Sequence, residues 1–447
     1  MRALALVDTD SYVKWGAALL ARFPAEWDRQ IAVVATPGAP SAGQLSAALA
    51  GSGFEGASLE LTLETLGTRV AADRPDVVVV AMRGPAASVV LRVLSDLPNR
   101  PVLVSGLPGI SIPATWKALF YRAQADLVVL HSKREIREFD LVAGKRGWDH
   151  RLALATLPFI ERTVAVPSSA APSSLASSSA VPSSPDPSGR APSNTGLPVG
   201  APDGRDIVFA VQSIVPLERA DRERVLDILI ATARRNPDHR VVIKVRALSG
   251  EQQTHDEEHS YPDLLAERPS PPQNLVVAAG AMATALDTAA GLVTVSSTAS
   301  IEAIARDIPL IMLDEFGISD GLINQAFVGS GLFADGEAVA SLAFARPNPQ
   351  WLDDNYFHAS GDDDWMRAVD ELLALRASAP LTARPSLRGH LGGALRRAWE
   401  RKQAFGRHDR TLLGAAALAV GTPARSVVLL GRRIRGRRAH VWDSVAR

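Results

Sequence analysis

Three consecutive hydroxyl residues, Ser296, Ser297 and Thr298, stand between a wholly apolar run and a short helical pattern that carries Glu302. Hydroxyls and free N–H groups at such a turn can hold a phosphate or simply cap the helix. Capping needs only one of the three, and Glu302 falls one residue past the position from which it would look back at a Thr298 cap. Its carboxylate is therefore available to accept from ribose hydroxyls. At the start of the chain, Asp8-Thr9-Asp10-Ser11 follows the first apolar run. Asp10 can serve as a general base with Asp8 holding it, or Asp10 or Ser11 can act only as a helix cap. His131 closes another apolar run and precedes Ser132, Lys133 and Arg134. A histidine there is either a base with cations beside it or a hydrogen-bonded structural residue. Lys244 and Arg246 can hold a diphosphate by charge-assisted hydrogen bonds, with Gln212 and Ser213 at the end of a neighbouring strand. Gly106 and Gly109, with Pro108 and Pro113, fix an unusual loop in which backbone can come close to a ligand. No Walker-type phosphate loop is present, and the polar stretch His255–His259 fits no zinc signature, so no metal is expected.

These groups meet only if strands and helices carry them to a common edge. Apolar runs at Leu4–Val7, Ile31–Ala35, Asp76–Ala81, Pro101–Ser105 and Leu127–His131 read as strands. Helical patterns at Ser11–Arg22, Leu45–Ala50, Leu63–Asp73, Ala86–Leu97, Trp116–Ala123 and Lys133–Ala143 fall between or after them. The runs show little alternation, as expected where both faces of a parallel sheet are covered. From Thr163 to Arg205 the chain turns to Ser, Pro and Ala, too poor in large apolar groups to offset ordering entropy, and reads as a linker. The rhythm then restarts with strands at Ile207–Val211, Arg240–Val245, Leu275–Ala278, Leu292–Val295 and Leu310–Leu313. Helices are expected at Asp221–Arg235, Leu322–Val328 and Trp365–Leu375. The reading is an α/β chain of two Rossmann-like domains, 1–162 and 206–383, joined by a linker at 163–205 and followed by a basic helical or disordered tail at 384–447. A ligand belongs in the cleft between the domains.

With 447 residues, 47% of them hydrophobic, the chain is long enough for two cores. It has no cysteine, which excludes disulfides, zinc-thiolate sites and thiol nucleophiles and suits a reducing, cytoplasmic compartment. No signal peptide or membrane span is evident. Formal net charge is zero, yet from Arg384 onward fifteen Arg or Lys face three acids. Such a tail is either solvated or drawn to anionic lipid at the inner face of the plasma membrane. Nucleic acid is not expected, because stacking aromatics are sparse.

Three stretches resemble GT-B glycosyltransferases: Leu127–Ile160, the pair IVFAVQSIVP and RVVIKVR, and VTVSSTASIEAIARDIPLIMLDEFG. The last is similar to the donor-site segment of capsule, polysialic acid and CDP-glycerol-type transferases. DTDSYVKWGAALL, GLPGISIPATWKALFYRAQAD and HSKRE resemble an actinobacterial glycosyltransferase family of unknown function. The resemblance implies an acceptor domain followed by a nucleotide-sugar domain and no cofactor. It implies a nucleotide-sugar donor near Gln212, Ser213, Lys244, Arg246, Ser296, Ser297, Thr298 and Glu302, and a glycan or lipid-linked acceptor of the cell envelope. The catalytic candidates are Asp10 and His131, with Asp8, Ser11, Gly106, Gly109, Ser132 and Lys133 on the acceptor side. Where capsule and polysialic acid enzymes carry His-Pro, this chain has Lys244-Val245-Arg246, which argues against a CMP-sugar. A sugar-nucleotide epimerase of the same fold and a non-catalytic nucleotide- or glycan-binding protein are the alternatives.

Overall fold

The computed structural model describes residues 1–56, 58–161, 204–212, 215–245, 259–385, 387, 393–419 and 421. The first half runs β1 (Arg2–Val7), α1 (Asp10–Ala21), β2 (Asp28–Val34), α2 (Ala42–Leu49), β3 (Ser58–Leu61), α3 (Leu63–Asp73) and β4 (Val77–Ala81). It continues with α4 (Gly84–Ser95), β5 (Val102–Gly106), α5 (Trp116–Tyr121), β6 (Leu127–Leu130), α6 (Lys133–Gly144), β7 (Leu152–Leu154) and α7 (Pro158–Glu161). The second half runs β8 (Asp206–Ala210), α8 (Arg219–Arg235), β9 (Arg240–Lys244), α9 (Tyr261–Ala266), β10 (Leu275–Ala278), α10 (Met282–Leu286), β11 (Ala289–Thr294) and α11 (Ala299–Ala305). Then come β12 (Leu310–Leu313), β13 (Phe333–Ala334), α12 (Gly336–Ala340), α13 (Pro349–Asp354), α14 (Trp365–Ser378) and α15 (Ala394–Phe405).

All strand pairs are parallel, in a seven-stranded sheet ordered β3-β2-β1-β4-β5-β6-β7 and a six-stranded sheet ordered β10-β9-β8-β11-β12-β13. The Val77–Ala81 run is buried throughout because helices cover both faces of β4. Each Val or Leu so buried contributes about 1.5–3 kcal/mol relative to exposure. β3 was not foreseen: SLEL is a short edge strand with Leu59 and Glu60 exposed, so the apolar signal is weak.

Two further expectations change. Leu322–Val328 forms a turn and one 3-10 turn at Gln325–Phe327, because the buried Asn324 side chain bonds the Gly317 carbonyl and the Ser319 N–H and draws the chain into a loop. α14, expected within the second domain, packs on the first sheet. Trp365, Ala368, Val369 and Leu372, at helical spacing, enter the core on one face of that sheet, with α14 lying over β5, β6 and β7. Asp363 and Asp364 fasten its start by accepting the Thr156 and Leu154 N–H groups at 2.9 and 2.7 Å. The last helix of the 206–383 span thus belongs by packing to the first lobe. No helix among the described residues is long and apolar enough to cross a membrane.

Candidate functional site

Both sheets turn the C-terminal ends of their strands toward one cavity of about 770 Å³. In each sheet the strand order reverses beside the first strand, between β1 and β4 and between β8 and β11, which is where open α/β sheets leave a crevice. The first lobe supplies the start of α1 and the loop after β5, and the second supplies the ends of β9 and β10 and the turn into α11.

Asp10 opens α1, where its charge suits the helix N-terminus, and it lines the cavity beside Ser11. Lys14, one turn on, pairs with it at 3.1 Å. Across the cavity Glu302 is half-buried. Burial raises its pKa, while Arg306 and Lys14 pull it down, so Lys14 acts on carboxylates of both lobes. Lys14 was not foreseen, although its i, i+4 spacing from Asp10 was there to be read.

Lys244 ends β9 and is 3% exposed on the cavity wall. Its Nζ donates to the carbonyls of Val245 and Gly280 at 2.8 and 2.6 Å. Burial lowers its pKa, and among the described residues no carboxylate lies in a salt bridge with it. A buried ammonium held only by carbonyls is under-compensated and favours an incoming anion.

The hydroxyl-rich turn divides its labour. Thr298 precedes α11 without capping it by its side chain, and it is exposed on the cavity. Ser297 instead accepts the Ala299 N–H at 3.2 Å and also lines the cavity. Ser296 is not among the lining residues: its N–H and hydroxyl both bond Gln212 Oε1 at 3.0 Å, so Ser296 and Gln212 brace the turn instead of facing a donor. Ser213 and Arg246 lie outside the described residues, as do residues 255–258 of the polar stretch. Among the described residues no group of three or more acids and histidines could hold a metal ion.

His131 is not available as a base. It is fully buried, its Nδ1 lies 2.7 Å from the Ala155 carbonyl, and its Nε2 accepts the Trp15 indole N–H at 2.6 Å. The tautomer is thereby set with the proton on Nδ1, and burial lowers the pKa to about 4. Its work is to hold Trp15, which lines the cavity. Gly106 makes room for that indole, since a Cβ there would sit 2.5 Å from Trp15 Cζ2 and 2.5 Å from the Val129 carbonyl. Gly109 is where the lobes come near: a Cβ on it would lie 3.8 Å from Thr298 Cγ2.

The remaining candidates are structural. Asp8 is buried away from the cavity, accepting the Arg83 N–H at 3.1 Å. Burial raises its pKa and Arg83 lowers it. Ser132 caps α6 by accepting the Glu135 N–H at 2.9 Å. Lys133 pairs with Asp353 and Asp362 at 2.8 Å each, joining the lobes outside the cavity. Glu135, unforeseen, accepts from the N–H groups of His131 and Ser111 and from the Tyr356 hydroxyl at 2.9, 2.8 and 2.7 Å. Burial raises its pKa to about 7 against those three donors. Through it, the cavity loop containing Ser111 is tied to the second lobe.

Two Rossmann-like lobes with the cavity between them define a GT-B fold. A solved UDP-N-acetylglucosamine 2-epimerase shares it at 14% identity and a TM-score of 0.50, covering 86% of this chain and 98% of that one. Also similar are the UDP-GlcNAc 2-epimerase from Methanocaldococcus jannaschii (11% identity, TM-score 0.48, 85% and 100% covered) and the spinosyn rhamnosyltransferase SpnG (16%, 0.37, 86% and 97%). No curated protein sequence matches the chain. Residues 3–372 match the family described as "Putative glycosyltransferase (DUF6716)", and the chain belongs to that family.

Proposed function

We propose that the protein transfers a sugar from a nucleotide-sugar donor, seated on the second lobe, to a glycan or lipid-linked acceptor of the cell envelope presented by the first. The observation that carries this reading is the under-compensated Lys244 ammonium facing the same cavity as the Asp10 carboxylate. Lys244 takes a phosphate oxygen of the donor, Ser297 and Thr298 add hydroxyl contacts, and Glu302 accepts from ribose. Asp10 removes the proton of the acceptor hydroxyl as its oxygen bonds to the anomeric carbon. The bond from that carbon to the donor phosphate breaks, and the nucleotide leaves with its new charge met by Lys244. The basic tail beyond Arg384 holds the chain beside an anionic membrane, where lipid-linked acceptors lie.

The test incubates the full chain with UDP-, GDP-, CDP- and CMP-sugars, with and without envelope extract, and follows sugar and nucleotide by mass spectrometry. Acceptor-dependent release of nucleotide, lost in Asp10→Ala, supports the transferase. Interconversion of free nucleotide sugars without acceptor would replace it with an epimerase. Binding without turnover in any mixture would replace it with a binding protein.

A further inference from the structure

Beyond the second lobe the chain doubles back along the first. α15 lies along α4, with Ala398 and Phe405 buried. After a turn at 406–411, a short helix at 412–419 returns beside α15, where a Cβ on Gly421 would run into the Trp399 ring. Gly414 and Ala417 are buried and Gly421 follows at helical spacing, so small residues form the inward face. The outward stripe is Leu412, Ala415, Ala416 and Ala419, all exposed, with Leu412 at 89% and the adjoining Leu413 at 51%. The ten residues from Leu412 to Gly421 carry no polar side chain. A helix that is apolar all round is ordinarily buried, yet the outer face of this one meets water.

The charges around it show what kind of partner fits. Asp409, the only acid between Arg401 and Gly421, is buried, taking bonds from Arg401 Nε at 3.0 Å and the Thr411 hydroxyl at 2.8 Å. Arg407 and Arg410 are exposed just before the helix, and among the described residues neither stands in a salt bridge. The sequence from Thr422 to Arg438 then holds six arginines and no acid. An exposed apolar helix flanked by cations is the composition that settles in the headgroup region of an anionic bilayer. At about 15 Å it has about half the length needed to cross one. The same face is too small for a stable pair of copies, which buries about 800 Å² on each partner. Its place in the fold agrees. Gly406 sets the turn against the loop after β2, where a Cβ on it would lie 3.1 Å from Pro37 Cγ. That loop is at the C-terminal edge of the first sheet, the edge that opens on the cleft.

We infer that the helix at 412–419 is a membrane-insertion element. It lies in the plane of an anionic bilayer surface, Leu412 and Leu413 enter below the headgroups, and Arg407, Arg410 and the arginines that follow meet lipid phosphates. This rests on the membrane location proposed for the basic tail and adds apolar insertion to attraction by charge. Insertion turns the cleft-side edge of the first lobe toward the surface that carries lipid-linked acceptors.

Sedimentation with phosphatidylcholine vesicles, with and without phosphatidylglycerol, compares the full chain with a Leu412→Asp/Leu413→Asp variant, whose unchanged nucleotide binding shows that it is folded. The wild type is expected to sediment with the phosphatidylglycerol vesicles, and the variant to bind them roughly tenfold or more weakly. The chain has no cysteine, so Ala416→Cys accepts a single fluorescent label, whose emission should shift to the blue with the same vesicles. A label that does not respond, or a variant that sediments like the wild type, overturns the insertion and leaves a tail held by charge alone. No sedimentation of the wild type overturns both, while the nucleotide-sugar assay still decides the reaction in the cleft. A wild-type dimer that becomes monomeric in the variant also overturns the insertion, because a second copy then covers the face.

Discussion

At the scale of single residues, Lys244 and His131 separate ligand binding from support. Lys244→Met keeps the length of the side chain and removes its charge. Nucleotide affinity is expected to fall about tenfold or more, while the melting temperature without ligand stays level or rises, because a buried charge without a counterion is costly. Titration calorimetry and thermal unfolding of the same samples check both. For His131 the sign is as follows. Its folded pKa of about 4 lies below the ordinary 6.5, so between these values the unfolded chain binds a proton that the folded chain does not. Its contribution is complete above pH 6.5 and is lost as pH falls toward 4, by on the order of 3 kcal/mol at about 1.4 kcal/mol per unit. Glu135 works oppositely: its folded pKa of about 7 exceeds 4.5, so its contribution is complete below pH 4.5 and is lost as pH rises through 7. Urea midpoints between pH 4 and 8 should therefore show a weaker acid decline in His131→Asn and a weaker neutral decline in Glu135→Gln than in the wild type. A His131 variant whose acid decline matches the wild type would contradict this account.

At the scale of elements, α14 is the one whose sequence position and packing position disagree. Its apolar stripe finds a complementary surface over β5, β6 and β7, and Phe23 meets Trp365 edge-on at 5.5 Å between ring centroids. Trp365→Ala is expected to lower stability by about 3–5 kcal/mol, since it removes a fully buried indole and leaves a cavity beside Phe23. Denaturant unfolding checks the size, and a loss below about 1 kcal/mol would mean that the helix is only loosely held. A contrast is α6, whose Lys133 and Arg137 reach Asp353 and Asp354 across exposed surface. Those pairs contribute about 0.2–1 kcal/mol each and weaken with salt.

At the scale of the whole molecule, the two lobes are coupled through Glu135, which takes one bond from the cavity loop at Ser111 and one from Tyr356 of the second lobe. Tyr356→Phe deletes the second and leaves a buried carboxylate oxygen with one donor fewer, a loss of about 1–3 kcal/mol. Faster hydrogen exchange over residues 107–111 and a weaker donor complex are expected together. Exchange unchanged in that loop would uncouple the lobes from the cavity wall.

The sequence by itself determined the two parallel sheets, because runs such as Val77–Ala81 and Leu310–Leu313 are apolar on both faces and can be buried only between helices. It also determined that turn hydroxyls and the Asp10 and Lys244 charges fall at strand ends, since strand, turn and helix follow one another locally. The tertiary structure alone decided which of these groups faces the cavity. Ser296 and Gln212, 84 residues apart, satisfy each other, and His131 is used up by Trp15 and Ala155. Those pairings depend on contacts between distant segments, and a residue's neighbours along the chain carry no record of which donor will reach it from another strand.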